Sequence, residues 1–289
     1  MLGDVITDVS TRLRETPVPG SDAAADIRLG GGGSAANVAC WLAAAGSARD
    51  VHLVGRVGDD PSGRERTAEL DRAGVRTHLA VDAERPTGAI VVLVEASGER
   101  TMLTDRGANL RLAPADAPPG LVEEAAWVHV SGYALLDAGP RPAALAVLDR
   151  AHAAGVAVSL DPASSHPLAL VGPSRVLGWG AQAALWLPNG AEAEVLTGCA
   201  DPAAAARALG GAGRECVVTL GADGCVWSDG SRTLHTPAAP AQVVDTTGAG
   251  DAFTAGYLSA RVDGADPQEC CARAVALAAR AVATAGARP

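Results

Sequence analysis

Along the chain, short apolar and β-branched runs alternate with longer Ala-rich stretches. The strand-like runs are Val51–Val57, Trp127–Val130, Val156–Leu160, Ala184–Leu187 and Cys216–Leu220. Between them the pattern predicts helices near Ala35–Ala45, Gly63–Ala73, Pro142–Ala153, Ala203–Leu209 and Ala252–Ala260. Strands alternating with helices point to an α/β fold, a parallel sheet covered by helices on both faces. The runs are continuously apolar, as strands buried on both faces should be. Two stretches break the alternation. Residues 9–30 are polar and turn-rich, with Pro17, Pro19 and Gly20. Residues 76–105 read as successive strands, notably Ala89–Val94 and Arg100–Thr104, joined by a Ser97-Gly98 turn. Both suit a small β flap on the main body. Pro118–Gly120 and Gly210–Gly213 read as ordinary loops rather than linkers, so residues 1–289 are expected to form one domain.

Composition narrows the chemistry. Hydrophobic residues make up 48% of 289 and aromatics only 3%, so the core must be mostly Ala, Val and Leu. A formal net charge of -10 disfavours nucleic acid, whose phosphates need clustered cations. Lysine is absent and all 23 cations are Arg. That excludes a Lys Schiff base, a Walker A lysine and the strand lysine of protein kinases. The six cysteines contain no C-x-x-C pair, and the six histidines are scattered, so neither a zinc site nor a disulfide framework is expected. There is no G-x-S-x-G elbow and no convincing G-x-G-x-x-G after a strand, which argues against a hydrolase and a dehydrogenase. No apolar run approaches the ~18 residues of a membrane span. Asp4 and Asp8 stand where a signal peptide would be basic and then apolar, so a cytoplasmic location is expected.

Four segments carry candidate chemistry. In Asp245-Thr246-Thr247-Gly248-Ala249-Gly250-Asp251 the glycines precede an apolar helix, whose amides and dipole can hold an anion. An acid there would repel a passively bound phosphate. It makes sense if Asp251 takes a proton from an alcohol while the amides of Gly248, Ala249 and Gly250 stabilise a transferring phosphoryl group. A Gly-rich turn with Asp capping a helix explains the same segment. In Gly30-Gly31-Gly32-Gly33-Ser34-Ala35-Ala36-Asn37 the backbone can approach a ligand, and the Asn37 amide can serve sugar hydroxyls. A loop capping a helix is the plainer alternative. Asn189 and Glu192, three apart after an apolar strand, can reach a hydrated Mg²⁺ or phosphate, or can simply form a capping box. Thr219, Gly221 and Gly224, at the end of another strand, suit a nucleotide contact or a hairpin turn. Arg106, just after a flap strand, can meet an anionic substrate or stand as a solvated charge.

In this order and spacing the four segments resemble the ribokinase-like (PfkB) family of carbohydrate and nucleoside kinases, over nearly the whole chain. The resemblance implies a three-layer α/β/α fold with a mostly parallel central sheet and a small β-sheet lid formed by about residues 9–30 and 76–105. It implies an ATP-dependent phosphotransferase acting on a hydroxyl of a small sugar or sugar acid. Asp251 matches the family's base, and Gly248, Ala249 and Gly250 its anion hole. Asn189 and Glu192 match the Mg²⁺ and phosphate motif, and Thr219, Gly221 and Gly224 the nucleotide turn. Asp8 matches the acid that holds sugar hydroxyls, together with Gly32, Gly33 and Asn37. Asp245 and Thr247 match ligands of a monovalent cation such as K⁺, and a homodimer paired through the lids is implied as well.

The chain departs from the family pattern in places. Ser34-Ala35-Ala36 replaces the Lys-containing stretch of ribokinases proper, which argues against assigning ribose. Only Met1 and Leu2 precede Gly3-Asp4, so the expectation is either a stunted first sheet strand or a start placed several codons late. One family cation ligand would fall just past Pro289, so a weak response to K⁺ is expected. Two other readings stand beside the sugar kinase. A nucleoside kinase would call for aromatic stacking, and the flap segments hold no Phe, Tyr or Trp. A non-catalytic sugar sensor on the same scaffold would have no need of Asp251.

Overall fold

The computed structural model describes residues 1–46, 49–94 and 100–289. The first half of the chain runs β1 (Ile6–Leu13), β2 (Ala25–Gly32), α1 (Ser34–Ala44), β3 (Val51–Gly58), α2 (Pro61–Arg72), β4 (Val75–Asp82), β5 (Gly88–Val94), β6 (Arg100–Asp105), β7 (Val128–Ser131), α3 (Tyr133–Leu136) and α4 (Arg141–Ala153). The second half runs β8 (Val158–Asp161), α5 (Ser165–Val171), α6 (Pro173–Trp179), β9 (Leu185–Trp186), α7 (Gly190–Thr197), α8 (Pro202–Leu209), β10 (Glu215–Thr219), β11 (Cys225–Ser228), β12 (Thr233–Thr236), α9 (Ala249–Val262) and α10 (Pro267–Val282). Helices α2, α8 and α10 share one start signal. An Asp caps the third amide of each, and a Pro follows where no amide is needed.

The central sheet has the order β12-β11-β10-β9-β8-β7, continued by β3-β4. Leu2 joins the two parts, bridging Val54 of β3 and Val130 of β7 in parallel. Gly3 and Asp4 follow directly after this bridge. All pairings from β10 to β7 and between β3 and β4 are parallel, and β11 alone is reversed, pairing antiparallel with both β10 and β12. Successive residues of a strand serve opposite cores. On β9 and β10, Trp186, Cys216 and Val218 pack towards Leu148 of α4, Leu196 of α7 and Leu209 of α8. Leu185 and Val217 pack towards Phe253 and Leu258 of α9 and Leu277 of α10. Burying each Leu or Phe contributes ~1.5–3 kcal/mol, so both faces hold the sheet.

A separate four-stranded sheet has the order β2-β1-β5-β6. Strands β1 and β5 are parallel, and the outer pairs are antiparallel. The structure corrects the second boundary of the flap. Residues 76–82 do not belong to it, because β4 pairs in parallel with β3 in the central sheet. Strand β3, α2 and β4 form one crossover unit. Strand β4 is a half-exposed edge carrying Arg76, Thr77 and His78, so its pattern resembles that of a flap strand. The first boundary also shifts, since β1 starts at Ile6 and β2 extends through Gly32. The predicted Ser97-Gly98 turn lies outside the described residues.

Candidate active site

The site lies where parallel α/β sheets bind ligands, beyond the carboxyl ends of the central strands. Two helices that start far apart in sequence meet there. Asp251, in the first turn of α9, accepts Ser34 Oγ on Oδ1 and Asn37 Nδ2 on Oδ2, both at 2.9 Å. Ser34 and Asn37 belong to α1, so the two glycine-rich segments are brought together by their helices. Burial pushes the Asp251 carboxyl up to about 7. The Asn37 and Ser34 donors oppose that rise, whereas the neighbouring charges of Asp161 and Asp8 add to it.

Gly248 caps α9 with φ 77°, a left-handed conformation, and a Cβ there would strike the backbone of Ala287. The amide of Ala249 donates to the Thr246 carbonyl at 3.3 Å. Amides of a first helical turn lack intrahelical acceptors, so this end carries the positive pole of α9 beside Asp251.

Asp8, on β1, lies flat against Gly32 of β2, where a Cβ would collide with its carboxylate. Burial raises Asp8 to about 6, against the pull of Arg288 and Arg66. Asp8 is near enough for its charge to add to the rise at Asp251, which brings the small sheet to the α9 terminus. Gly33 links β2 to α1 and packs on the Asp4 carbonyl.

On the other side of the site, Asn189 caps α7 in a full capping box. Its Oδ1 accepts from Glu192 N at 3.0 Å, while Glu192 Oε2 accepts from Asn189 N at 2.9 Å and Oε1 from Asn189 Nδ2 at 2.6 Å. Thr219 bridges Asn189 in the neighbouring strand register. Gly221 and Gly224 turn β10 into β11, with Leu220 N donating to the Gly224 carbonyl at 2.8 Å. Both the capping and the hairpin alternatives are therefore realised in the chain itself. Glu192 is buried, and burial followed by the charge of Asp161 raises its pKa. Asp161, at the end of β8, is raised by burial too. It also accepts from Ala163 N at 2.8 Å, and Ala163 has φ 79°. Such a conformation costs a non-glycine residue ~1–3 kcal/mol and tends to occur at functional sites.

Arg106 is placed differently from a free anion receptor. It is ion-paired with buried Asp4, contacts Asp137 at 2.9 Å and stacks over the Tyr133 ring at 4.0 Å. Asp245 Oδ1 accepts Thr247 N at 3.0 Å and Thr247 Oγ1 at 2.8 Å, and its Oδ2 accepts Gly286 N at 3.1 Å. Sequence reasoning missed Ser34, Asp161, Glu69 and Arg288 as site residues. Asp161 could have been found as an acid ending an apolar strand before Pro162. Ser34 stands within the glycine-rich segment but reads only as a departure from ribokinases, and Glu69 and Arg288 carry no local motif.

An α/β body with a small sheet over a carboxylate at a helix start is the arrangement of a small-molecule kinase. The chain belongs to the pfkB family of carbohydrate kinases, whose description matches residues 1–289. It is 33% identical over 282 residues to a fructokinase from Klebsiella pneumoniae, covering 90% of this chain and 82% of that one. Among solved structures, an adenosine kinase from Sinorhizobium meliloti superposes with a TM-score of 0.88 at 25% identity, covering 100% of this chain and 94% of the other. A ribokinase from Arabidopsis thaliana, solved with ribose and ATP, gives 0.82 at 27% identity, covering 99% and 92%. The chain is a carbohydrate kinase with a ribokinase-type fold, as the sequence motifs implied.

Proposed function

We propose that this kinase transfers the γ-phosphoryl group of ATP to a hydroxyl of a small sugar or sugar acid, with Asp251 as general base. The observation that carries the reading is the Asp251 carboxylate, fixed by Ser34 and Asn37 at the positive end of α9. The acceptor hydroxyl gives its proton to Asp251 as its oxygen bonds to the γ-phosphorus, and the bond to ADP breaks. The first-turn amides at Gly248, Ala249 and Gly250 offset charge on the phosphoryl oxygens. Asp8, Gly32, Gly33 and Asn37 hold the other hydroxyls of the acceptor. Arg106 orders Asp4 and Tyr133 at the rim of that pocket and meets an anionic acceptor only by leaving those partners.

ATP lies on the opposite side, along Asn189, Thr219, Gly221 and Gly224. Among the described residues no cluster of three or more metal-ligating side chains occurs. Mg²⁺ bound with a nucleotide needs only one or two carboxylates besides phosphates and waters. Buried Glu192 and half-buried Asp161 fit that role, two acids whose ionisation desolvation opposes and a cation would favour. Mg²⁺ supplies charge neutralisation of the phosphates there. Among the described residues no helix is long and apolar enough to cross a membrane.

The small sheet acts as a lid that closes over the acceptor and excludes water. Its row Leu29-Val9-Val91-Leu103 is apolar across all four strands, and Leu29 and Leu103 are 68% and 56% exposed. A row of this kind suits pairing with a second lid in a homodimer. The substrate class is tested by ADP formation with pentoses, hexoses, sugar acids and nucleosides as acceptors. A sugar or sugar acid should give the highest kcat/KM. Preference for a nucleoside would replace this reading with a nucleoside kinase, and no ADP formation with any acceptor would indicate the sensor.

A further inference from the structure

Arg288 belongs to none of the motifs above, yet its guanidinium lies beside the acceptor pocket with its side chain only 12% exposed. Nη2 donates to the Gly32 carbonyl at 2.7 Å, Nε to Asn37 Oδ1 at 3.0 Å and Nη1 to Glu69 Oε2 at 3.5 Å. A Cβ on Gly31 would collide with the guanidinium, so only glycine at that position leaves it room. Glu69 is anchored from behind, accepting Arg66 Nη2 on Oε1 at 2.7 Å, while Arg66 Nη1 donates to the Gly30 carbonyl at 2.7 Å.

The contact with consequences for the chemistry is the one to Asn37. A carboxamide has one accepting and one donating end. Asn37, 5% exposed, turns its Nδ2 to Asp251 and its Oδ1 to Arg288. The flipped amide would face oxygen to carboxylate and NH₂ to guanidinium. Opposite charges at the two ends therefore select one orientation.

We infer that Arg288 is a positioning residue for phosphoryl transfer: through Asn37 it fixes the second hydrogen bond to Asp251 and so aims the base at the acceptor hydroxyl. The inference rests on Asp251 being the base. The charged groups facing Asp251 come from several elements. Asp8 of β1 and Asp161 of β8 oppose its ionisation, while Ser34 and Asn37 of α1 favour it. Behind Asn37, Arg288 faces Glu69 and Arg66 of α2, Cys40 of α1 and Asp8. Without Arg288 the Asn37 amide is free to rotate and its donation to Asp251 weakens. Less support for the ionised form means a higher pKa, so the acid limb of the pH–rate profile moves to higher pH.

The test measures steady-state kinetics against pH, together with Tm, for R288M and R288K, each alone and in an N37A background, with D251N as reference. R288M should lower kcat about tenfold or more and shift the acid limb upward, a loss in the range of a charge-assisted hydrogen bond. R288K should recover part of both, because an ammonium can still donate to Asn37 Oδ1. In N37A the further cost of R288M should be under about twofold, since the route through Asn37 is already gone. A purely structural Arg288 would lower Tm and leave the acid limb in place, and that result overturns the proposal. So does an R288M loss repeated in full on N37A. Should R288M not fold, R288K carries the same comparison. An active D251N would remove the base assignment itself, whereas an inactive D251N with unmoved limbs in the Arg288 variants would remove only the positioning role.

Discussion

The two sides of the site are built in opposite ways. On the acceptor side, Asp8, Gly32, Ser34, Asn37, Asp251 and Arg288 come from β1, β2, both helix starts and the tail after α10, and the hydrogen bonds among them span as many as 256 positions. On the nucleotide side, Asn189 and Glu192 satisfy each other three positions apart, and Gly221 and Gly224 complete a turn between neighbouring strands. A local arrangement that is self-sufficient can bind a phosphate and still look like ordinary capping. A long-range arrangement of half-buried acids has no such ordinary explanation. Raised carboxylates occur on both sides, at Asp8 and Asp251 as at Glu192 and Asp161, so what sets the acceptor side apart is the distance in sequence between its partners. The acceptor side therefore carries the functional argument, and the nucleotide side is consistent with it.

The largest expected effect lies on the acceptor side. Asp251→Asn keeps the shape and both α1 neighbours but removes the base, and kcat should fall at least about 10²-fold with ATP binding intact. Near-normal turnover would mean that the helix start is merely capped. On the nucleotide side, Glu192→Gln keeps one of the two oxygens that accept from Asn189, removes the charge, and should weaken the Mg²⁺ response about tenfold or more, with the sugar KM little changed. A changed sugar KM at an unchanged Mg²⁺ response would merge the two sides. Asp8→Ala should raise the sugar KM by the equivalent of roughly 1–3 kcal/mol, the cost of an unpaired buried hydroxyl, and move the ATP KM less. The smallest effect concerns K⁺. Both oxygens of Asp245 already accept from Thr247 and Gly286, so exchanging K⁺ for a bulky organic cation should change the rate only slightly. Strong activation by K⁺ would show that enough oxygen ligands surround the ion.

Much of the fold was legible because buried parallel strands read as apolar runs. Val51–Val57 and Cys216–Leu220 fall within one residue of β3 (Val51–Gly58) and β10 (Glu215–Thr219). Edge elements were harder to read. Strand β4 is half-exposed and polar, so it was assigned to the flap, and β11 and β12 alternate too briefly to stand out. Helix α10 escaped notice although Asp266-Pro267 marks its start in the same way as Asp60-Pro61. At the site, Asp251 and Asn37 were visible as motif residues, but their hydrogen bond was not, since it depends on how α1 and α9 pack. Ser34 entered the sequence reading only as a departure from ribokinases, whereas the fold makes it a donor to Asp251. Arg288 lies in no motif, and only the folded chain brings it to Asn37.

The central claim is that a half-buried, ionisable Asp251 accepts the hydroxyl proton. Only the ionised carboxylate can do so, and burial sets its pKa near 7. The direct measurement is kcat/KM for the acceptor against pH at saturating Mg·ATP, in the wild type and in Glu192→Gln. The account predicts full activity above about pH 8, a fall as pH drops through about 7, and the same limb in Glu192→Gln, because Glu192 serves the other side. A profile that stays level down to about pH 5, or a limb that disappears with Glu192→Gln, would contradict it.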